Sequence, residues 1–121
     1  MPDRRVLIID DEVQVARALR RLLARNGYRV EVAHSAAEGL ARFEEIAPDV
    51  VISDFYMPDR NGHELVGEVL RRAPSTVALL LSGSLEISPD AARMCDVLWK
   101  PWREEDLLAL IARRLAEREG V

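Results

Sequence analysis

The chain has 121 residues, 49% of them hydrophobic and 31% charged, which suits one compact domain with a core and is too apolar for a disordered chain. A single cysteine, Cys95, excludes a disulfide scaffold, and no apolar run approaches the roughly 20 residues that a membrane-spanning helix needs. The net charge of −4 disfavours direct nucleic acid binding, and the start, Met1-Pro2-Asp3-Arg4-Arg5, is unlike a signal peptide, so a cytoplasmic location is expected.

Residues 5–10 (RVLIID) form a continuous, β-branched run, the pattern of a strand buried on both faces. Residues 12–26 follow as a helix, with Val15, Leu19, Leu22 and Leu23 on one stripe. Arg17, Arg20, Arg21 and Arg25 lie off that stripe, as a solvated face or a docking face for an acidic partner. Asn26-Gly27 closes the helix, with Gly27 free to adopt a positive φ. Residues 28–33 (YRVEVA) alternate, as a strand nearer an edge does. Ser35 caps a second helix over 36–46, and Glu38 is placed to complete a capping box. Residues 49–54 (DVVISD) make another fully apolar strand that ends in an acid. A loop over 55–61 leads to a helix over 62–73, with Leu65, Val66, Val69 and Leu70 inward. Residues 77–82 (VALLLS) are a further buried strand, and Ser88-Pro89 signals a short fourth helix. Residues 96–99 are the last strand. Residues 103–119 are the last helix, with Leu107, Leu108, Ile111 and Leu115 buried and Glu104, Glu105 and Asp106 in its first turn.

Strict alternation of five strands and five helices predicts an α/β fold occupying residues 1–121 as a single domain. Its doubly wound parallel sheet takes the flavodoxin-like order 2-1-3-4-5, with a shortened fourth helix. That order brings the carboxyl ends of strands one and three together at the switch point, where ligands bind. Strand one ends in Asp10-Asp11, strand three in Asp54, strand four in Ser82 and strand five in Lys100-Pro101. Each acid alone reads as a helix cap. Three of them with a serine and a lysine read as a site. Crowded carboxylates repel unless a cation joins them, and hard oxygen ligands of this kind suit Mg²⁺. Lys100 is the only lysine among seventeen basic residues and supplies a point charge for a carboxylate or phosphoryl oxygen. Ser82 offers a hydroxyl to an oxyanion.

The pieces VLIIDDE (6–12), DVVISD (49–54), MPDRNGHEL (57–65), LSG (81–83) and Lys100-Pro101 stand in this order along the chain. Together they resemble, over essentially the whole chain, a receiver domain of a bacterial two-component response regulator. The resemblance implies that Asp54 is the phosphoacceptor for a phosphohistidine donor. It implies that Asp11, Asp54 and the main-chain carbonyl of Tyr56 ligate Mg²⁺ (with Mn²⁺ as a substitute), and that Asp10 acts through water. Ser82 and Lys100 would hold the phosphoryl oxygens, and Lys100-Pro101 would be a cis peptide. The implied partners are a histidine kinase or histidine phosphotransfer protein and a downstream protein or attached output domain, with neither nucleic acid nor membrane. No effector module is read within the 121 residues. The only catalysis implied is the domain's own aspartyl phosphorylation and autodephosphorylation.

Three departures from the family pattern stand out. The stretch from Ser82 to Lys100 is short. Val97 occupies a position where the family often carries Tyr or Phe, while Trp99 and Trp102 lie nearby as an alternative readout or as packing and partner surface. Tyr56 puts a bulky ring two residues after the acceptor, where it would slow attack by water. His34 and His63 read as solvated, and Cys95 as a small packing residue. Two rival readings are a receiver-like interaction module that is never phosphorylated and a metal-dependent phosphatase. The second is opposed by Tyr56 standing where a general acid would be.

Overall fold

Val6, Leu7, Ile8 and Ile9 are all fully buried, so β1 (Arg5–Ile9) runs through the middle of the sheet with no face to water. The computed structural model describes residues 4–83, 93 and 95–120. After β1 come α1 (Val13–Arg25), β2 (Arg29–Ala33), α2 (Ala36–Ile46), β3 (Val50–Asp54), α3 (Gly62–Arg72), β4 (Val77–Ser82), β5 (Asp96–Trp99) and α4 (Glu104–Arg118). The strands form one parallel sheet in the order β2-β1-β3-β4-β5. The expected order is therefore observed. The short fourth helix expected around Ser88-Pro89 lies outside the described residues.

Alternation along each strand divides the core in two. Val6, Ile8, Val50, Ile52, Leu79 and Leu81 pack against Leu19 and Leu23 of α1 and Leu107 and Ile111 of α4. Leu7, Ile9 and Val51 face the other way, toward Phe43 of α2 and Leu65 and Val69 of α3. Full burial of side chains of this size contributes about 1.5–3 kcal/mol each, so this two-sided layer holds the strand ends in place. β2 alternates exposed and partly buried residues, as an edge strand should.

Element ends follow local chemistry. Gly27 closes α1 at φ +92°, a conformation that favours glycine. Ser35 Oγ accepts from the Glu38 amide at 3.1 Å, but Glu38 reaches back to the His34 amide (2.8 Å) rather than to that of Ser35. Asn61 caps α3 by accepting from the Glu64 amide at 2.9 Å. The α4 helix is tied by its arginines to the starts of β5 and β3. Arg114 grips Asp96 through two bonds of 2.6 and 2.8 Å, and Arg118 binds Asp49 at 2.8 Å. None of the helices, among the described residues, is long and apolar enough to cross a membrane.

Candidate functional site at the carboxyl ends of the strands

Asp10 and Asp54 follow the inward alternation of Ile8 and Ile52 and come to lie side by side, because β1 and β3 are neighbours. Both are buried, with Asp10 1% and Asp54 7% exposed. Asp10, Glu12 and Asp54 each offer an oxygen, and the three oxygens lie within 4.8 Å of one another. Lys100 Nζ approaches Asp54 Oδ1 at 3.6 Å. The Lys100 amide donates to the Ser82 carbonyl at 2.7 Å, which joins the ends of β5 and β4, and Ser82 is itself fully buried. The Lys100–Pro101 peptide is cis, as the resemblance implies.

The electrostatics show an acidic group short of positive charge. Asp10 Oδ1 accepts from the Glu12 amide at 2.8 Å, whereas its Oδ2 is buried with no hydrogen-bond partner. Burial pushes the Asp10 carboxyl up to about 6; the Glu12 amide opposes this and the charge of Asp54 adds to it. Burial also raises Asp54, against the pull of the Lys100 ammonium and with a push from Asp11. A buried carboxylate oxygen without a donor is costly unless a proton or a cation meets it. The donor set, hard anionic oxygens beside one ammonium, fits a divalent cation such as Mg²⁺.

The structure gathers Asp10, Asp54, Ser82 and Lys100 at one end of the sheet. Asp11 is exposed and stands outside the tight group, acting on Asp54 through its charge, while Glu12 takes the third place. The sequence carried a signal for Glu12 in the acidic run DDE, but there it reads as the start of a helix. Tyr56 is 56% exposed, and its ring stacks edge-to-face on Phe55 with centroids 4.8 Å apart.

The loop after β3 is held tightly. The Gly62 amide donates to the Phe55 carbonyl at 2.6 Å. A Cβ on Gly62 would collide with the main-chain oxygen of Asp54 and reach 2.9 Å from Leu80 Cδ2 and 3.0 Å from Ser53 Oγ. Asp59 accepts from the Ala36 amide at 3.1 Å and the Ala37 amide at 3.0 Å, at the start of α2. The Ala37 and Ala36 amides hold its carboxyl below the usual carboxylate value. Nothing local in the sequence marks Asp59, because its partners are 22 and 23 residues away. His34 is exposed but not merely solvated: its Nδ1 lies 3.0 Å from the Asp10 carbonyl oxygen.

The other singled-out residues fall around this site. Val97 pairs in register with Leu80 and packs beside Phe55 and Val66. Trp99 pairs with Ser82 and is 42% exposed. Trp102 packs on the α1/α4 core and lines a groove of about 520 Å³ with Val15, Ala18, Leu19 and Leu22. A larger hollow of about 680 Å³ opens at the other end of β4 and β5, away from the acidic group, where Arg114 and Arg118 are already paired with acids. Burial, with a contribution from Asp96, pushes the Cys95 thiol up to about 12, which leaves it protonated and unsuited to act as a nucleophile. His63 is half-buried in the first turn of α3.

Comparison with known proteins agrees with this geometry. The family model "Response regulator receiver domain" matches residues 6–112. The acid tolerance regulatory protein ActR of Rhizobium meliloti (strain 1021) is 31% identical over 121 residues, covering 97% of this chain and 62% of ActR. The response regulator MprA of Mycobacterium ulcerans (strain Agy99) is 34% identical over 109 residues, covering 87% of this chain and 47% of MprA. The chain thus spans about half to two-thirds of the length of these relatives. A solved receiver domain protein (CheY-like) from Methanospirillum hungatei JF-1 superimposes with a TM-score of 0.90 at 29% identity, covering 98% of both chains. With five parallel strands in the order 2-1-3-4-5, an acidic group and a lysine at their carboxyl ends, and this family match, the chain belongs to the response regulator receiver domain family, the phosphoacceptor domains of two-component signalling.

Proposed function

We propose that Asp54 is the phosphoacceptor of this domain. The observation that supports this most directly is the pairing at Asp54 itself. A nearly buried carboxylate has Lys100 Nζ at 3.6 Å, with Glu12 and Asp10, the latter carrying a buried oxygen that has no hydrogen-bond partner, as its acidic neighbours. Mg²⁺ would be held by Asp10, Asp11 and Asp54 with the Tyr56 main-chain carbonyl, Glu12 being close enough to take part. When bound, it supplies neutralisation of charge on the transferring group and its acidic surroundings.

An Asp54 oxygen forms a bond to phosphorus as the P–N bond of a phosphohistidine donor breaks, and the imidazole leaves with the electron pair. Lys100 balances the charge that reaches the equatorial oxygens, with Ser82 as a hydroxyl donor beside it. Reversal to the resting carboxylate is attack by water on the same phosphorus, with release of inorganic phosphate. Both steps are positioning and electrostatics, for which a rigid strand end is suited. Phosphorylation would then alter the surface of β5 and α4, where Trp99 sits beside Ser82 in register. The donor protein would dock on α1. There Arg17, Arg20 and Arg21 are exposed without ion-pair partners among the described residues, beside the apolar groove of Val15, Leu19, Leu22 and Trp102.

Intact mass after incubation with a small phosphodonor, with and without Mg²⁺, tests the reading. The expected result is one phosphoryl adduct that needs Mg²⁺ and vanishes in Asp54→Asn. An adduct that persists in Asp54→Asn, or no adduct from the native chain with a protein donor as well, would remove it and favour the unphosphorylated interaction module.

A further inference from the structure

We propose that Asp59 is a positioning residue, bridging the loop after β3 to the first turn of α2 and so setting the acceptor side of the acidic site against Asp10. This rests on the phosphoacceptor reading of Asp54. Both Asp59 oxygens are engaged, one with the Ala36 amide and one with the Ala37 amide. The helix's own cap, Ser35, takes only the Glu38 amide. A carboxylate on the positive end of a helix makes charge-assisted bonds, stronger than those of a neutral cap.

The same helix start is fastened to β1. The Asp10 amide donates to the Ala33 carbonyl at 3.0 Å, His34 Nδ1 lies 3.0 Å from the Asp10 carbonyl oxygen, and Glu38 holds the His34 amide at 2.8 Å. Two strand ends that must meet at the site, Asp10 from β1 and the loop that follows Asp54, are therefore pinned to one anchor. Residues 55–61 are otherwise bonded at their two ends, by the Phe55 amide on the Leu81 carbonyl and the Gly62 amide on the Phe55 carbonyl, and packed at Met57, which is buried in the cluster of Leu65 and Val69. The carbonyl of Tyr56 lies within that span. Both Asp59 oxygens are taken up by the Ala36 and Ala37 amides, so its action is on geometry.

The test compares native protein with Asp59→Ala, Asp59→Asn and Ser35→Ala. Three quantities are read: the Mg²⁺ concentration for half-maximal phosphorylation by a small donor, the rate at saturating Mg²⁺, and amide hydrogen exchange over residues 55–62. Groups bonded directly to a metal ligand typically change affinity by about 10–100-fold, and Asp59 is one step further out. Asp59→Ala is expected to raise the Mg²⁺ half-point about three- to tenfold, with little change at saturation, and to speed exchange across the loop. Asp59→Asn, which keeps one acceptor oxygen, should fall between. Ser35→Ala lowers the melting temperature by removing a cap of the same helix, but leaves the Mg²⁺ half-point in place. An unchanged half-point in Asp59→Ala, or an equal shift in Ser35→Ala, would reduce Asp59 to an ordinary helix cap. If native protein takes no phosphoryl group, the phosphoacceptor reading fails, and the exchange comparison still decides whether Asp59 holds the loop. Should Asp59→Ala not fold, Asp59→Asn carries the same comparison.

Discussion

Gly62→Ala puts one methyl group against the backbone that carries Asp54. The new Cβ would lie closer to the Asp54 carbonyl oxygen than the 2.9 and 3.0 Å at which it meets Leu80 and Ser53. Ordinary carbon contacts need about 3.5–4.0 Å, so the end of β3 or the start of α3 must move by about 1 Å. Overpacking typically costs about 1–3 kcal/mol, and the upper half applies here because the obstacle is backbone. Alanine returns at most about 0.5–1 kcal/mol of helix preference, and less than that in a first turn. The net loss is about 2 kcal/mol, or a fall of about 5–10 °C in melting temperature for a domain of this size.

Two other glycines calibrate the reasoning. At Gly39 the obstacle is the buried side chain of Ile9, 2.6 Å away at Cδ1 and 3.0 and 3.1 Å at its Cγ atoms; it is side chain rather than backbone, so Gly39→Ala should cost less. At Gly83 the nearest atom is Lys100 Cδ at 3.8 Å, so Gly83→Ala should be neutral. Thermal unfolding followed by circular dichroism ranks the three. A Gly62→Ala melting temperature within a degree of native would refute the close approach. Phosphoryl uptake at saturating Mg²⁺ should fall as well, since Asp54 moves with its own carbonyl.

In Mg²⁺-free buffer at pH 7, Asp10→Asn should stabilise the fold by about 1–3 kcal/mol, because it removes a buried carboxylate held near 6 instead of 3.8. A raised carboxyl favours the fold at pH values below the unfolded pKa and loses that contribution as pH rises through about 6, so the gap between variant and native should close toward pH 4. Mg²⁺ should raise the melting temperature of native protein and not that of the variant; equal shifts would refute the metal assignment. Asp49 behaves oppositely: burial pushes its carboxyl up, but the Arg5 amide and Arg118 outweigh this and hold it below its ordinary value. Asp49→Asn should therefore cost about 0.5–1 kcal/mol at neutral pH, a difference that fades as pH falls through the depressed value; a pH-independent difference in denaturant midpoint would contradict it. Tyr56→Ala should shorten the lifetime of the phosphorylated form severalfold by admitting water, and an unchanged decay of the mass adduct would dismiss that role for the ring.

Much of the site was legible because its members end strands. An apolar run that stops in an acid names both the strand and the residue at its mouth, as residues 5–10 and 49–54 do. Chain order then placed Asp10, Asp54, Ser82 and Lys100 together without any contact being known. Element limits moved by a residue or two: β1 ends at Ile9, and α1 begins at Val13 with Glu12 before it. That small shift changed the reading of the acidic run, since Glu12 at the helix entry turns toward Asp10 and Asp54 while Asp11 faces solvent.

The sequence by itself determined the alternation of strands and helices, the two-sided core and the residues at the carboxyl edge. Those depend on periodicity and on neighbours a few positions apart. Only the tertiary structure decided that Glu12 comes within reach of Asp10 and Asp54, that His34 meets the Asp10 carbonyl, that Gly62 presses on Asp54, and that Asp59 caps a helix 22 residues earlier. It likewise decided the pairing of Arg118 with Asp49 across 69 residues. Such contacts join segments that the topology brings together, and a side chain's polar partner across that distance leaves no periodic trace in the chain.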